Sequence, residues 1–522
     1  MASGTQLARN LATRLWPVGA RRQAATINLA LSYSKYSVLA LTQVILVPFY
    51  LRSVSLSEYG AWLASGNVIA LLTIVDFGYH LFVTQRLACA TRDLRRFSSE
   101  AGSAMFLTSA FAMAVSGLIW WLTPRIVAWV NCPASARVAL QIAIWTATVG
   151  TAERILAFGL WSVLQAWQMA LWSEGAFLLG SVTGLCATVV CLRAGMGVAA
   201  FGVGEACAGT ICLAVVLRKV VMEWARRGLP LPAARAGAVI ELAKVAVPVM
   251  VSRATTTVAN TGQPALISMI IGPGYAAMFS LTSRLYNGCT SFLMPVVVSA
   301  FAGLADLGGE GDIQRVREAV RKLCKMCTHL AALMFAICCA LNVAFGALWV
   351  GAYRFGGDKL SVLLCIAALL MGANAILTIL LAALGESAHP AWVGLLEASI
   401  RVPLTIALLH AYGVVAIPVA VCVTVGCGTA PYLLFRLSRR LALTYGSAAR
   451  LVGNAIPHLV ACLVVGGVAG VAYHPRTWAA LACLALMLGT SFIVAAALFD
   501  AGTRRLLKTS LPLVFRRVPV TK

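Results

Sequence analysis

The feature that most constrains this chain is a recurrence of apolar stretches. Each is about 20 residues long, the length an α-helix needs to cross a ~30 Å hydrocarbon layer. Read between breakers, the 522 residues hold fourteen: 27–51, 59–81, 102–123, 138–160, 172–192, 197–217, 243–271, 275–302, 328–350, 360–384, 392–412, 414–435, 451–473 and 477–499. Glu153-Arg154 interrupts the fourth near its expected inner end. Inside a bilayer, backbone polar groups must be satisfied within the segment, so runs of this length specify helices. The expected fold is all-α and polytopic, with about 14 transmembrane helices. Only 11% of residues are charged and 61% are hydrophobic, against about 25% charged in a soluble globular chain. Soluble and disordered classes are excluded.

The formal charge of +24 must be explained within that fold. The basic residues do not form one patch, which argues against nucleic acid as a partner. They cluster at 9–22, 86–96, 218–244, 315–325, 436–450 and 504–522, which together hold 29 of the 41 Lys and Arg. With the N-terminus inside, every cluster falls on the cytoplasmic side. The outer connections hold seven: Arg52, Arg125, Arg137, Arg193, Arg354, Lys359 and Arg476. This is the positive-inside bias expected of a multi-pass protein of the bacterial cytoplasmic (inner) membrane with both termini cytoplasmic. The acid-free segment to Ala25 reads as a cytoplasmic tail, with no cleavable signal peptide expected before the first span.

The connections exclude several activities. The longest, 218–242, is too short for a soluble catalytic domain, and no phosphate-binding Walker sequence is present. Cys324-x-x-Cys327 lacks the second pair that a zinc site needs, so no metal or cofactor is expected.

Two segments echo each other across six helices. In each, a long span with one buried cation reaches a tight turn, after which Tyr and Ala open the next helix. Lys35 lies 24 residues before Tyr59, and Arg253 lies 22 before Tyr275. Internal repeats of this kind are common in transporters. They divide the chain into a basic tail (1–25), a six-helix lobe (26–217), an inter-lobe loop (218–242), a second six-helix lobe (243–437), a helix pair (438–500) and a basic tail (501–522).

The segment Pro48-Phe-Tyr-Leu-Arg52, then Ser57-Glu58-Tyr59-Gly60-x-Trp62 and Asp76-Phe-Gly78, resembles bacterial polysaccharide flippases. These are the O-antigen-type members of the multidrug/oligosaccharidyl-lipid/polysaccharide exporter superfamily. Ile271-Gly272-Pro-Gly-Tyr275-Ala-Ala and Thr282-Ser-Arg284-Leu-Tyr286 look like the matching segment of the second lobe. The resemblance implies two lobes around a cavity that opens alternately to each side. It also implies export of an undecaprenyl-diphosphate-linked oligosaccharide for surface polysaccharide, with a polysaccharide polymerase as a candidate partner. Many members carry an acid in the second half of helix 7, where this chain reads Asn260-Thr-Gly-Gln263-Pro264.

Charges within the bilayer are costly and default to function. Lys35, Arg253 and Arg284 lie ~12–15 Å along their spans at 1.5 Å per residue, near mid-depth. None has an acid three or four residues away, so they are the candidate diphosphate-binding cations. The competing reading pairs them with Glu174, Glu205 or Asp76. Arg401 follows Glu397 by four residues, a self-neutralising helical pair, and Arg154 is expected to snorkel to the inner interface. Asp76 and His80 are gate candidates. Glu205, Glu397, Asn374 and Thr378 are candidates for coupling to Na+ or H+. Pro48, Pro248, Pro264, Pro295, Pro403 and Pro418 are candidate kinks. Rival readings are a lipid II-type flippase, a multidrug or metabolite exporter of the same superfamily, and a membrane-bound glycan-processing enzyme.

Overall fold

The computed structural model describes residues 46–69, 93–167, 169–244, 261–310, 312–386 and 388–499, with Val83, Thr84, Arg86, Leu87 and Ala90. The described residues are helical, with no strand among them. Seven helices are long and apolar enough to cross a membrane, or eight if the pair Tyr445–Val452 and Ile456–Ala472, bent by 50°, counts as one span. The chain is thus a multi-pass α-helical membrane protein. It divides into two compact units, Met1–Ala265 and Leu266–Lys522.

The first unit contains α1 (Leu56–Ile69), α2 (Leu94–Trp129), α3 (Arg137–Ala166), α4 (Ala170–Arg193) and α5 (Ala199–Arg226). The start of α1 is a reciprocal capping box. The Ser55 amide donates to Glu58 Oε2 at 2.8 Å, and the Glu58 amide donates to Ser55 Oγ at 3.2 Å. Asp93 caps α2 by accepting from the amides of Arg95 and Arg96.

Glycines bring α3 and α5 into backbone contact. A Cβ added at Gly150 would lie 2.2 Å from the Glu205 carbonyl oxygen, at Gly202 2.2 Å from that of Ala143, and at Gly209 2.2 Å from that of Gly150. The pairs Ala143/Gly202 and Gly150/Gly209 advance by the same seven residues, so the helices run parallel. Small residues at such seams are what packing in lipid rewards, where no hydrophobic force joins helices.

Three sequence expectations change here. The fourth span is not interrupted, because α3 runs through Glu153-Arg154 to Ala166. The loop expected at 218–242 is largely helical: α5 extends to Arg226 and residues 236–244 form another helix. The nine residues between lie along α2, where Ser98 Oγ donates to Pro230 O at 2.8 Å, Trp224 Nε1 donates to the same oxygen at 2.9 Å, and the Arg235 amide donates to Ser103 Oγ at 3.1 Å. Phe97 stacks on Trp167 beneath them. Finally, basic residues that suggested a loop sit on the α5 helix, where Lys219 pairs with Glu223 at 2.9 Å.

In the second unit, α6 (Gln263–Ile270) opens the fold across the division. Gly272 then takes a φ of 128°, a value that favours glycine, and Pro273 begins α7 (Pro273–Thr282). The eighth span, expected as one helix over 275–302, breaks at Ser283 and continues as α8 (Arg284–Glu310). Next come α9 (Ile313–Val350), α10 (Gly357–Ala383), α11 (Ala388–Tyr412) and α12 (Ala416–Val421). A π-helical segment, Cys422–Thr429, leads into α13 (Ala430–Arg440). The last helices are α14 (Tyr445–Val452), α15 (Ile456–Ala472) and α16 (Trp478–Phe499). α9 starts 15 residues before the expected ninth span, so Arg315, Arg317, Arg321, Lys322 and Lys325 lie on a helix rather than a loop. α15 seats on α9 through Gly466, whose added Cβ would lie 2.4 Å from the Ala336 carbonyl oxygen.

Candidate functional site

The segment Thr282-Ser-Arg284-Leu-Tyr286 forms a buried polar knot at the α7–α8 break. Asn342 of α9 donates through Nδ2 to the Thr282 carbonyl at 3.1 Å and to Ser361 Oγ of α10 at 2.9 Å. The Tyr286 hydroxyl, on a side chain only 1% exposed, shares a 2.9 Å hydrogen bond with Ser361. The Gly356 amide donates to Thr282 Oγ1 at 3.0 Å. Four elements are thereby tied to one break, while Asn342 Oδ1 is buried there without a hydrogen-bond partner among the described residues. Arg284 opens α8 beside the knot. It is half-buried and makes no hydrogen bond or ion pair with any described residue.

Lys35 and Arg253, the other two candidate cations, lie outside the described residues, as do Asp76 and His80. Other members of the family-like motifs have structural roles. Glu58 caps α1, Tyr59 is buried against Phe201, and Trp62 stacks on the same ring at 5.6 Å.

Among the described residues, the ion-pair partner of Glu205 is Arg154 of α3, at 2.5 Å. Arg154 is thus held to α5 by an ion pair. Glu153, one residue earlier, accepts from Thr210 Oγ1 at 2.8 Å. Adjacent residues on a helix do not face each other, so Glu153 and Arg154 reach α5 separately.

The Glu397–Arg401 pair forms as the spacing predicts, at 3.2 Å, and is deeply buried, with the side chains 9% and 3% exposed. Thr424, in the π-helical segment, donates to the same Glu397 oxygen at 3.0 Å. A single substitution that strands either charge would be far more damaging than loss of a surface pair. Thr378 Oγ1 of α10 donates back to the Asn374 backbone carbonyl at 2.9 Å, and the Asn374 side-chain Oδ1 is buried with no hydrogen-bond partner among the described residues.

Sequence reading missed the structural use of clustered arginines. Arg440 places Nε and Nη2 at 3.0 and 2.8 Å from the Leu384 carbonyl, just past the end of α10. Arg317 does the same for Leu441 and Ala442 beyond α13, both at 2.8 Å. Arg436 pairs with Glu386. Helix C-termini leave carbonyls unsatisfied and carry partial negative charge, so these guanidinium groups cap them.

Residues 28–302, more than half of the chain, match the family model described as polysaccharide biosynthesis protein. The chain belongs to this family. No curated protein matches it significantly in sequence. Among solved structures, the family member resembles the lipid II flippase MurJ in its inward closed conformation, with a TM-score of 0.71 and 11% identity over 92% of this chain and 100% of that one. An inward-facing multidrug resistance MATE transporter of the MOP superfamily gives 0.60 and 12% identity, over 77% and 98%. The Vibrio cholerae MATE transporter VcmN gives 0.56 and 14%, over 80% and 98%. The fold is thus that of the flippases and exporters of this superfamily.

Proposed function

We propose that this protein is an alternating-access flippase that carries an undecaprenyl-diphosphate-linked oligosaccharide across the cytoplasmic membrane for surface polysaccharide biosynthesis. The observation that carries the reading is the polysaccharide biosynthesis family match over 28–302 on a chain with an exporter fold. Lys35, Arg253 and Arg284 supply the charge that recognises the diphosphate. Arg284 supports this role, since it is a cation that no described acid neutralises. An apolar cavity of about 240 Å³, lined by Leu293, Cys327, Phe335, Leu369, Ile376 and Leu459, offers the second unit room for hydrocarbon.

The test is complementation of a bacterium lacking its surface-polysaccharide flippase. The wild-type chain restores the glycan, and Arg284→Ala abolishes rescue at unchanged protein level. Drug resistance without glycan rescue would overturn the reading. The likeness to MurJ over nearly the whole chain favours lipid II as the second substrate class. Rescue of a lipid II flippase mutant, without rescue of the glycan mutant, would select it.

A further inference from the structure

We infer that Asn287, Gly288 and Ser291 of α8 form a saccharide-binding face beside Arg284. The spacing 284, 287, 288 and 291 puts these residues on one side of the helix. Asn287 and Ser291 are exposed and Arg284 is half-buried, whereas Tyr286, Cys289 and Leu293, on the opposite side, are buried. A Cβ added at Gly288 would meet nothing within 4 Å, so the face is open along its middle.

The neighbours of α8 fix the depth of this face. α8 packs against α9 and α10, both long and apolar enough to cross a membrane. Cys289 Sγ lies 3.2 Å from Cys338 Sγ of α9, ~18 Å from the end of that helix at 1.5 Å per residue. A Cβ added at Gly372 of α10 would lie 3.7 Å from Thr290 Cγ2, and Gly372 is ~22 Å and ~17 Å from the two ends of α10 by the same rise. The exposed face is therefore level with the middle of two spanning helices.

Ser291 Oγ donates to the Asn287 carbonyl at 2.9 Å. The Asn287 amide is less well served. Its Nδ2 reaches Ser283 Oγ only at 3.5 Å, and its Oδ1 makes no hydrogen bond with a described residue. An open amide next to an arginine that no described acid pairs is costly against hydrocarbon and cheap against water. The face thus borders a hydrated path rather than lipid tails.

Its chemistry says what it selects. A guanidinium suits a phosphate. A carboxamide and a hydroxyl offer neutral donors and acceptors, the set that pairs with sugar hydroxyls. In a lipid-linked oligosaccharide the first sugar is joined directly to the diphosphate. Asn287 and Ser291 stand ~4.5 Å and ~10.5 Å along the helix axis from Arg284. The order of cation, amide, open glycine and hydroxyl matches a diphosphate followed by its sugar. Farther along the same side the face turns apolar, with Val298 at 58% exposure.

The subsite rests on the oligosaccharide-export reading and tells which part of that substrate α8 recognises. Two measurements on full-length protein in lipid nanodiscs test it. First, Asn287→Cys and Ser291→Cys proteins are treated with a water-soluble maleimide and mapped by peptide mass spectrometry. Both new thiols should react, because the reagent needs a thiolate, which forms readily only in a hydrated site; native Cys289 should stay unmodified. Second, binding of undecaprenyl diphosphate is compared with binding of the lipid-linked oligosaccharide accumulated by the flippase-lacking strain. Asn287→Leu should weaken the oligosaccharide lipid about tenfold, the effect of a lost hydrogen bond, and leave undecaprenyl diphosphate binding unchanged. Gly288→Leu should act the same way through bulk, with folding intact, since there is no protein atom for the new side chain to displace within 4 Å of its Cβ. Arg284→Ala should weaken both lipids. Unreactive thiols at 287 and 291 in folded protein would overturn the subsite. So would equal binding of the two lipids by wild type, or Asn287→Leu and Gly288→Leu proteins that bind as wild type does. Glycan rescue by the wild-type chain would stand in each of those cases. Conversely, the expected binding pattern without rescue would refute export and keep the subsite.

Discussion

At the scale of single residues, the polar groups inside this protein differ in what their removal should cost. Asn342 holds the α7–α8 break through two buried hydrogen bonds. Asn342→Leu leaves the Thr282 carbonyl and Ser361 without that donor, and should lower stability by about 1–3 kcal/mol. Thermal unfolding in detergent would show it as a lower midpoint at unchanged expression of folded protein. Glu397→Ala should cost more, about 3–5 kcal/mol, because it removes the carboxylate from a deeply buried ion pair with Arg401. The double replacement Glu397→Leu with Arg401→Met should recover most of that loss. If single and double variants melt alike, the pair contributes nothing specific.

Several of these residues could be read from the chain, and some could not. The Glu397–Arg401 pair was legible because four residues bring two side chains onto one helix face. Ser55-Leu-Ser-Glu58 carries its capping box in the sequence alone. The Arg154–Glu205 pair was not legible, since it joins two helices across 51 positions and depends on which faces α3 and α5 turn to each other. Two adjacent charges in an apolar run look like the end of a span. Here they sit in the middle of one, because a neighbouring helix receives them.

At the scale of elements, the boundary errors share one cause. Basic residues were counted as loop, yet a helix that leaves the bilayer need not end there. α9 and α5 both continue with charged turns, and their arginines and lysines cap or pair with neighbouring helices. The π-helical stretch Cys422–Thr429 left no mark in the hydrophobic pattern, since a change of helical register preserves composition. The glycine seam makes the firmest prediction at this scale. Gly150→Val or Gly209→Leu places carbon atoms where carbonyl oxygens already lie, so α3 and α5 must part. Folded yield on size exclusion should collapse for both, while Gly175→Ala, where an added Cβ meets nothing within 4 Å, should fold normally.

At the scale of the whole molecule, the bias of basic residues sets the expected orientation, with the segment joining the two lobes inside the cell. Leu231 of that segment is 88% exposed. A Leu231→Cys protein should react with a membrane-impermeant maleimide in inverted vesicles and stay unlabelled in intact cells. The reverse pattern would invert the topology and place the basic clusters outside. Fold class and family were legible from span length, charge spacing and a few turn motifs. The cavity lining was not, because it depends on helix rotations that no local pattern records.

The seam between α3 and α5 has a mechanical consequence. Backbones that touch at three glycines leave no side-chain layer to slide or repack, so neither helix can rotate against the other without separating from it. Whatever movement the first unit makes during a transport cycle, these two helices make it together, as one beam.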